Sequence, residues 1–229
     1  FFFPFMAKYT RYPLELMAVG EDRGSIPAPP REAMIRGCQG GRAQGAGYNA
    51  QFFYSRKPLA PFFQSLAAHL GPRLHLEEEA LRVDWRNRRV HTTRGSHPYG
   101  HLISTLPLPE LLRRMEPSWP EASALRLPHT ATLIVNGVLA RRRRRFHWVY
   151  LPDPQTPYYR AGYYPGRPYT AFYLEQTLGP GDTAPDGEAI RSSTLSCLRD
   201  LGMLRHEEEL LHHHAVTIPV SYVLIDREN

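Results

Sequence analysis

The chain has 229 residues, of which 42% are hydrophobic and 22% charged, and its formal net charge is +6 at pH 7. A chain of this length can bury a sizeable core, as one large domain or two small ones. No apolar run approaches the roughly 20 residues that cross a bilayer, and the opening residues lack the pattern of a secretory signal. We therefore expect a cytoplasmic protein with no membrane span.

The start of the chain and its cysteines support two further expectations. The sequence begins at Phe1 rather than Met, and its first six residues include four phenylalanines, which suggests a fragment of a longer protein. Cys38 and Cys197 lie far apart in dissimilar contexts. We interpret them as two reduced thiols rather than a disulfide.

Arginine carries almost all of the positive charge, because Lys8 and Lys57 are the only lysines. Arginine pairs well with phosphate and carboxylate, so this balance permits an anionic small-molecule ligand. Arg141 to Arg145 form a basic run without interleaved aromatic residues. We predict a solvated loop there, and a polyanion contact is the alternative.

The first third of the sequence shows little regular structure before residue 58. Residues 20–47 are rich in Gly, Pro and Arg, so we assign 1–45 to an irregular remnant or connector. Residues 48–55, "YNAQFFYS", resemble a short aromatic strand. From 58 to 70, apolar residues recur on one helical side and the prolines fall in the first turn, which predicts a helix.

Residues 74–115 predict a hairpin, a further strand and a helix. Leu81 and Val83 alternate with charged neighbours, and the alternation resumes at Val90 after a turn. Residues 101–106 form an apolar run that we interpret as a strand ending before Pro107, since proline cannot donate to a sheet ladder. Pro109 then fits the first turn of a helix.

The second half is rich in strands bounded by Pro, Gly or Arg. Four segments are predicted to be strands, at 131–140, 146–152, 158–164 and 169–178, followed by a helix at about 186–201 and an extended segment at 215–226. Helices and strands are mixed without a repeated βα unit. The sequence therefore predicts an α+β fold with a mainly antiparallel sheet and packed helices.

Two motifs resemble known sites but lack the required context. Residues 45–50, "GAGYNA", match a dinucleotide fingerprint without a strand before or a helix after them. Residues 206–214, "HEEELLHHH", lack the spacing of a zinc hydrolase helix, and we interpret them as the end of a surface helix. We predict no metal site and identify no catalytic residue, because hydrolase elbow and P-loop motifs are also absent.

Tyrosines are dense in the second half, and Arg160 lies among them. Tyrosine offers a ring for stacking and a hydroxyl for hydrogen bonding, so a pocket of this composition would suit a flat or phosphorylated ligand. The alternative is a sheet that uses tyrosine only for packing, and composition alone favours it.

Five segments in order resemble the FAD-dependent amine oxidoreductase superfamily, in the branch of UDP-galactopyranose mutases and protoporphyrinogen-oxidase-like proteins. Residues 3–16 resemble the "PFQ…LP" segment, and 47–70 resemble the "YN…F.YP..GG" strand and its helix. Residues 81–112 resemble the segment ending in "LISTLPLPEL". Residues 146–164 resemble "HW.YFPE….FYR", and 198–226 resemble the stretch ending in "ipyaYpv.d".

The resemblance implies an FAD-dependent oxidoreductase or mutase. In the mutase branch, reduced flavin N5 attacks the sugar anomeric carbon, and in the oxidase-like branch a hydride moves to the flavin. The positions matching the cofactor side are Val83, Ser104, Thr105, Leu106 and Pro107. Those matching the substrate side are Tyr54, Tyr150, Tyr158, Arg160 and Tyr222. The implied partner is a small molecule, anionic or a nucleotide sugar, with Arg160 pairing its anion and no nucleic acid involved.

The sequence also departs from this family. The glycine fingerprint of the Rossmann unit and the closing Gly- and Arg-rich FAD motif are absent, so residues 46–229 would form a substrate-facing domain with partial FAD-domain elements. FAD binding by this chain alone is then in doubt. The alternative function is a non-catalytic or vestigial binding protein that has lost the flavin site.

Overall fold

The structure is a computed structural model, and it describes residues 2–17, 30–39, 59–120, 127–140, 147–164 and 169–224. The chain divides into two compact units. The first contains residues 1–18 and 79–229, and the second contains residues 19–78. The boundary predicted between residues 45 and 46 lies outside the described residues, as do the basic run at Arg141–Arg145, the "GAGYNA" motif and the strand predicted at 48–55.

The first unit begins with helix α1, Phe2–Thr10, which the sequence did not lead us to expect. Tertiary contacts hold this short helix in place. Phe5 is 3% exposed. The Nζ atom of Lys8 donates hydrogen bonds to the carbonyl oxygens of Leu151 at 2.9 Å and Tyr158 at 3.0 Å. A 3₁₀ turn follows at Leu14–Leu16.

The second unit contributes two helices, α2 at Arg31–Cys38 and α3 at Ala60–Leu70. Helix α2 corrects part of the prediction that residues 20–47 form a loop. Helix α3 confirms the helix predicted at 58–70, and a 3₁₀ turn at Gly71–Arg73 follows it. Its predicted apolar side is present but solvent-exposed, since Phe62 and Phe63 are 58% and 61% exposed.

The first unit contains a small sheet with strand order β3-β2-β1-β4. The elements are β1 Ala80–Asp84, β2 Arg89–Thr92, β3 Ser96–Pro98, α4 Leu108–Arg114 and β4 Met115–Glu116. The predicted β1–β2 hairpin is confirmed. Its turn is held by Asp84, whose carboxylate accepts hydrogen bonds from the backbone and side-chain N–H groups of Asn87.

The strand predicted at residues 101–106 is wrong. Residues 101–107 are an exposed irregular segment, and Ile103 is 92% exposed. The strand in this region is β3, which was not among the predicted strands. An apolar run that has no partner strand forms no interstrand hydrogen bonds when its backbone is extended. In contrast, β3 pairs with β2.

A five-stranded antiparallel sheet with the order β6-β7-β8-β5-β9 forms the main part of the first unit. Its strands are β5 His129–Leu139, β6 Trp148–Tyr150, β7 Arg160–Tyr164, β8 Thr170–Leu178 and β9 Leu210–Val223. Helix α5, Gly187–Asp200, connects β8 to the segment before β9. The α+β fold with a predominantly antiparallel sheet is thus confirmed.

The two faces of this sheet have different environments, as the alternation of side chains along a strand requires. One face, here called the core face, packs against α5 and includes Val135, Phe172 and Leu174, each at most 1% exposed. The opposite face, here called the open face, remains partly accessible. The open-face residues used below are Asn136, Tyr150, Arg160, Glu175, His212 and His214.

Helix α5 follows the rules of helix capping. Asp186 is its N-cap, and its side chain accepts a hydrogen bond from the backbone N–H of Ala189 at 2.8 Å. The buried residues Ile190, Leu195 and Leu198 cover the core face. Cys197 is a buried free thiol on this helix, and burial raises its pKa to about 11.

The surface-helix end predicted for residues 206–214 is wrong. A 3₁₀ turn at Glu207–Glu209 leads directly into β9, so His212, His213 and His214 lie on an extended strand. Pairing with β5 over its length outweighs the weak strand propensity of these residues. Within the described part of the chain, no helix has the length and apolar character needed to cross a membrane.

Candidate functional site

An ion pair lies across the open face between neighbouring strands. The register places Tyr150 opposite Arg160, and Arg160 opposite Glu175. The Arg160 Nε atom donates to Oε2 of Glu175 at 2.8 Å, and Nη2 donates to Oε1 at 2.7 Å. This two-point pairing fixes the plane of the guanidinium group.

The carboxylate of Glu175 also organises the tyrosine that precedes Arg160 in the chain. The hydroxyl of Tyr159 donates to Oε2 of Glu175 at 2.5 Å, and the Arg160 guanidinium carbon lies 5.7 Å from the centre of the Tyr159 ring. Burial, together with the hydrogen bond to Glu175, raises the pKa of Tyr159 above its ordinary range. Burial lowers the pKa of Arg160, but its bonds to Glu175 outweigh this and raise it overall. Tyr159 therefore keeps its hydroxyl proton and Arg160 keeps its positive charge at neutral pH.

Aromatic side chains from α1 and from both edges of the sheet surround this cluster. Tyr9 contacts Tyr159 and Tyr222 edge to face, with ring centres 5.1 Å and 5.4 Å apart. Phe5 contacts Tyr150 at 4.5 Å. The backbone carbonyl of Tyr9 accepts a hydrogen bond from Thr177 on β8 at 2.8 Å, which fixes α1 to the sheet.

Tyr222 shapes the environment of the Tyr9 hydroxyl, since the two rings lie edge to face. Burial, followed by the hydrogen bond to Tyr222, raises the pKa of Tyr9 above its ordinary range. Tyr222 is 42% exposed, so its ring remains accessible beside the cluster. The rings of Phe5, Tyr9, Tyr150 and Tyr222 are here called the aromatic wall. Such a wall, with tyrosine hydroxyl groups, suits a flat, polar ligand.

One part of Arg160 remains available to a ligand. Its Nε and Nη2 atoms are bound to Glu175, and within the described residues Nη1 has no partner. The Arg160 side chain is 30% exposed. Two N–H donors on a fixed, partly buried guanidinium can bind a phosphate or carboxylate oxygen.

The structure brings some predicted substrate residues together and separates others. Tyr150, Arg160 and Tyr222 border the same aromatic region. Tyr158 lies in the core, where its hydroxyl bonds with Ser193 at 3.0 Å and Thr194 at 2.9 Å. Tyr54 lies outside the described residues.

Sequence reasoning missed Tyr9, Tyr159 and Glu175. Tyr9 lies on a helix that we did not predict, and Tyr159 could not be distinguished from Tyr158 without the direction of each side chain. Alternation did offer one signal for Glu175. It is an acidic residue within an apolar strand, and it faces the same side as Arg160.

The positions predicted for the cofactor side lie in and beside the small sheet. Val83 is 4% exposed in the middle of β1, paired with Val90 and Met115. Ser104 to Pro107 are exposed and precede α4, and the Ser104 hydroxyl accepts a hydrogen bond from the backbone N–H of Leu106 at 3.2 Å. Ser104 and Thr105 are small and exposed, whereas Leu106 is an exposed large apolar residue.

The residues that the structure describes form no binding site for the pyrophosphate of FAD. The glycine-containing turn between β8 and α5 joins a strand to a helix. Carboxylate groups, however, already accept hydrogen bonds from the backbone N–H groups of this turn and of the first turn of α5. Asp182 accepts from the Gly179 N–H at 2.8 Å, and Asp186 caps α5. Two carboxylates there would repel a pyrophosphate. The described part of this turn thus offers no site for the phosphates of FAD.

A cleft of about 450 Å³ lies between α1 and residues 152–157. Its cations already have partners, since Lys8 donates to backbone carbonyls and Arg11 pairs with Asp182 at 2.9 Å. Burial also lowers the pKa of Lys8. We therefore assign this cleft a structural role.

The fold of this chain is similar to the folds of two proteins of known structure. A reduced UDP-galactopyranose mutase matches with a TM-score of 0.79 and 20% identity, covering 98% of this chain and 53% of that one. A protoporphyrinogen oxidase-like protein from Exiguobacterium sp. 255-15 matches with a TM-score of 0.56 and 13% identity, covering 73% of this chain and 40% of that one. The chain thus spans about half the length of the mutase structure. No protein-family model and no curated protein matches the sequence.

Proposed function

We propose that this chain carries the substrate-facing part of an FAD-dependent oxidoreductase or mutase. The observation that carries the proposal is the similarity of 98% of the chain to a UDP-galactopyranose mutase. The open face supports it independently, because a fixed arginine beside an aromatic wall suits a nucleotide sugar, which combines a flat base with an anionic diphosphate. Of the two chemistries, the higher TM-score favours the mutase.

Each residue of the open-face site has a proposed role. Arg160 binds an anionic oxygen of the substrate through Nη1. Glu175 holds Arg160 in position, and Tyr150 and Tyr222 provide a stacking surface and hydroxyl groups. Tyr54 is retained as a proposed substrate residue from the sequence resemblance.

Val83 and Ser104 to Pro107 are proposed to contact FAD. Val83 would act through the backbone of β1, and Ser104 to Pro107 would lie against the flavin ring. When bound, FAD would supply the redox or nucleophilic chemistry, while the protein binds and orients the substrate.

A second candidate is a binding protein that keeps the open face without flavin. The observation in its favour is the turn between β8 and α5, where carboxylates occupy the N–H groups. This candidate predicts ligand binding at Arg160 and no flavin uptake.

The test is the visible absorbance spectrum of the purified chain, before and after incubation with FAD and removal of free cofactor. The proposal predicts retained flavin absorbance and conversion of UDP-galactopyranose after chemical reduction. A chain that neither retains flavin nor converts the sugar would contradict the enzyme proposal. Binding of the sugar without flavin would support the second candidate.

A further inference from the structure

Two histidines on β9 form a pair that the proposed function does not use. His212 and His214 are two residues apart on a strand, so both side chains lie on the open face. Their ring centres are 5.9 Å apart and both residues are exposed. This arrangement lets two imidazole rings reach one ion after small rotations about their side-chain bonds.

We propose that His212 and His214 form a chelating site for a late first-row divalent cation such as Zn²⁺, Ni²⁺ or Cu²⁺. Imidazole is a preferred ligand for these ions. Within the described residues, no third His, Cys, Asp or Glu completes the pair. Two imidazole rings leave coordination positions open to other ligands, so the site can exchange its ion with solvent.

The neighbouring strand provides a further oxygen ligand within reach. Asn136 on β5 lies directly opposite His214 on the open face. Side chains in directly opposite positions have Cβ atoms about 5 Å apart. Its amide oxygen can thus approach an ion held by the histidine pair.

The middle histidine provides an internal contrast. His213 points to the opposite face, opposite Gly137, and is partly buried. Burial, followed by the charge of Arg191 on α5, lowers the pKa of His213. The three consecutive histidines are therefore not equivalent, and the strand geometry selects only two of them.

The proposed cation site is separate from the Arg160 cluster. Both lie on the open face, but β9 is three strand positions from β7. His214 is level with Asn136, whereas Arg160 is level with Glu175 and Ile134, so the two groups also differ in position along the strands. The cation site therefore does not depend on the flavoenzyme proposal.

The test is calorimetric titration of the untagged chain with NiCl₂, together with its melting temperature in the presence of Ni²⁺. We expect one bound ion per chain and a higher melting temperature, because a ligand that prefers the folded state stabilises it. His212→Ala and His214→Ala should each weaken binding roughly tenfold or more, since one of two protein ligands is lost.

His213→Ala is the matched control, and His206→Ala is a second control that lies before the strand. Both should bind Ni²⁺ like the wild type. Absence of binding by the wild type would overturn the proposal. Equal weakening of Ni²⁺ binding by His213→Ala would also overturn the proposal, because the three histidines would then act as an unstructured tract. Ni²⁺ binding that leaves the melting temperature unchanged would overturn it as well.

Discussion

Glu175 is the residue on which the geometry of the open face depends. It is 8% exposed, and its carboxylate oxygens accept from both Arg160 and Tyr159. A buried carboxylate of this kind is tolerated because its partners compensate for the lost hydration. Loss of its charge would leave the guanidinium of Arg160 partly buried without a counter-ion.

Replacement of Glu175 by glutamine is therefore expected to lower the free energy of unfolding by about 1–3 kcal/mol. Urea denaturation followed by circular dichroism measures this change. Glu207→Gln is the matched control, because Glu207 is 49% exposed and pairs with Arg199 at the surface. The control should change stability by less than about 0.5 kcal/mol. Equal effects of both substitutions would show that the Arg160–Glu175 pair has no special role.

At the scale of single elements, α5 packs against the core face of the five-stranded sheet. Its N-cap is Asp186, and its buried side chains fill the core face. The sequence predicted this helix closely, because the cap and the apolar spacing are both local signals.

Replacement of Asp186 by alanine should lower the free energy of unfolding by about 1 kcal/mol, since the Ala189 N–H loses its acceptor. The measurement is thermal or urea denaturation. Ser192→Ala serves as a control because Ser192 is exposed in the middle of the same helix. If the control destabilised the protein as much as Asp186→Ala, the capping interaction would not be responsible.

Asp182 connects α1 to the turn after β8, and this connection depends on pH. The Gly179 N–H and then Arg11 lower the pKa of Asp182 below its ordinary value. A carboxyl group with a lowered folded-state pKa stabilises the fold above its unfolded-state pKa. This contribution is lost as the pH falls through the folded-state pKa.

Asp182→Asn should therefore reduce the loss of stability below about pH 4 relative to the wild type. Urea midpoints measured between pH 2 and 6 (roughly the span of carboxyl titration) would show the difference. Parallel curves for the two proteins would contradict the assigned pKa shift of Asp182.

At the scale of the whole molecule, local signals in the sequence predicted much of the architecture. The hairpin at β1–β2, the strands β5 to β8 and helix α5 all follow from alternation, turn residues or capping. Helix α1 could not be predicted, because Lys8 is anchored to carbonyls more than 140 residues away. The strand at His212–His214 also depends on a distant partner, since pairing with β5 outweighs composition.

The candidate site could be predicted only in part for the same reason. Arg160, Tyr150 and Tyr222 were identified from residue type and family resemblance. The partner of Arg160 lies 15 positions away, on the neighbouring strand. Only the sheet register shows that the two side chains meet, and only the direction of each side chain separates Tyr159 from the buried Tyr158.

Calorimetric titration of the chain with UDP tests the central claim, that the open face at Arg160 binds an anionic nucleotide. We expect binding by the wild type and a loss of roughly tenfold or more in Arg160→Ala, since a charge-assisted contact contributes about 1.5–3 kcal/mol. Arg199→Ala removes a surface arginine that is 47% exposed and should bind UDP like the wild type. Absence of UDP binding, or equal binding by wild type and Arg160→Ala, would contradict the claim.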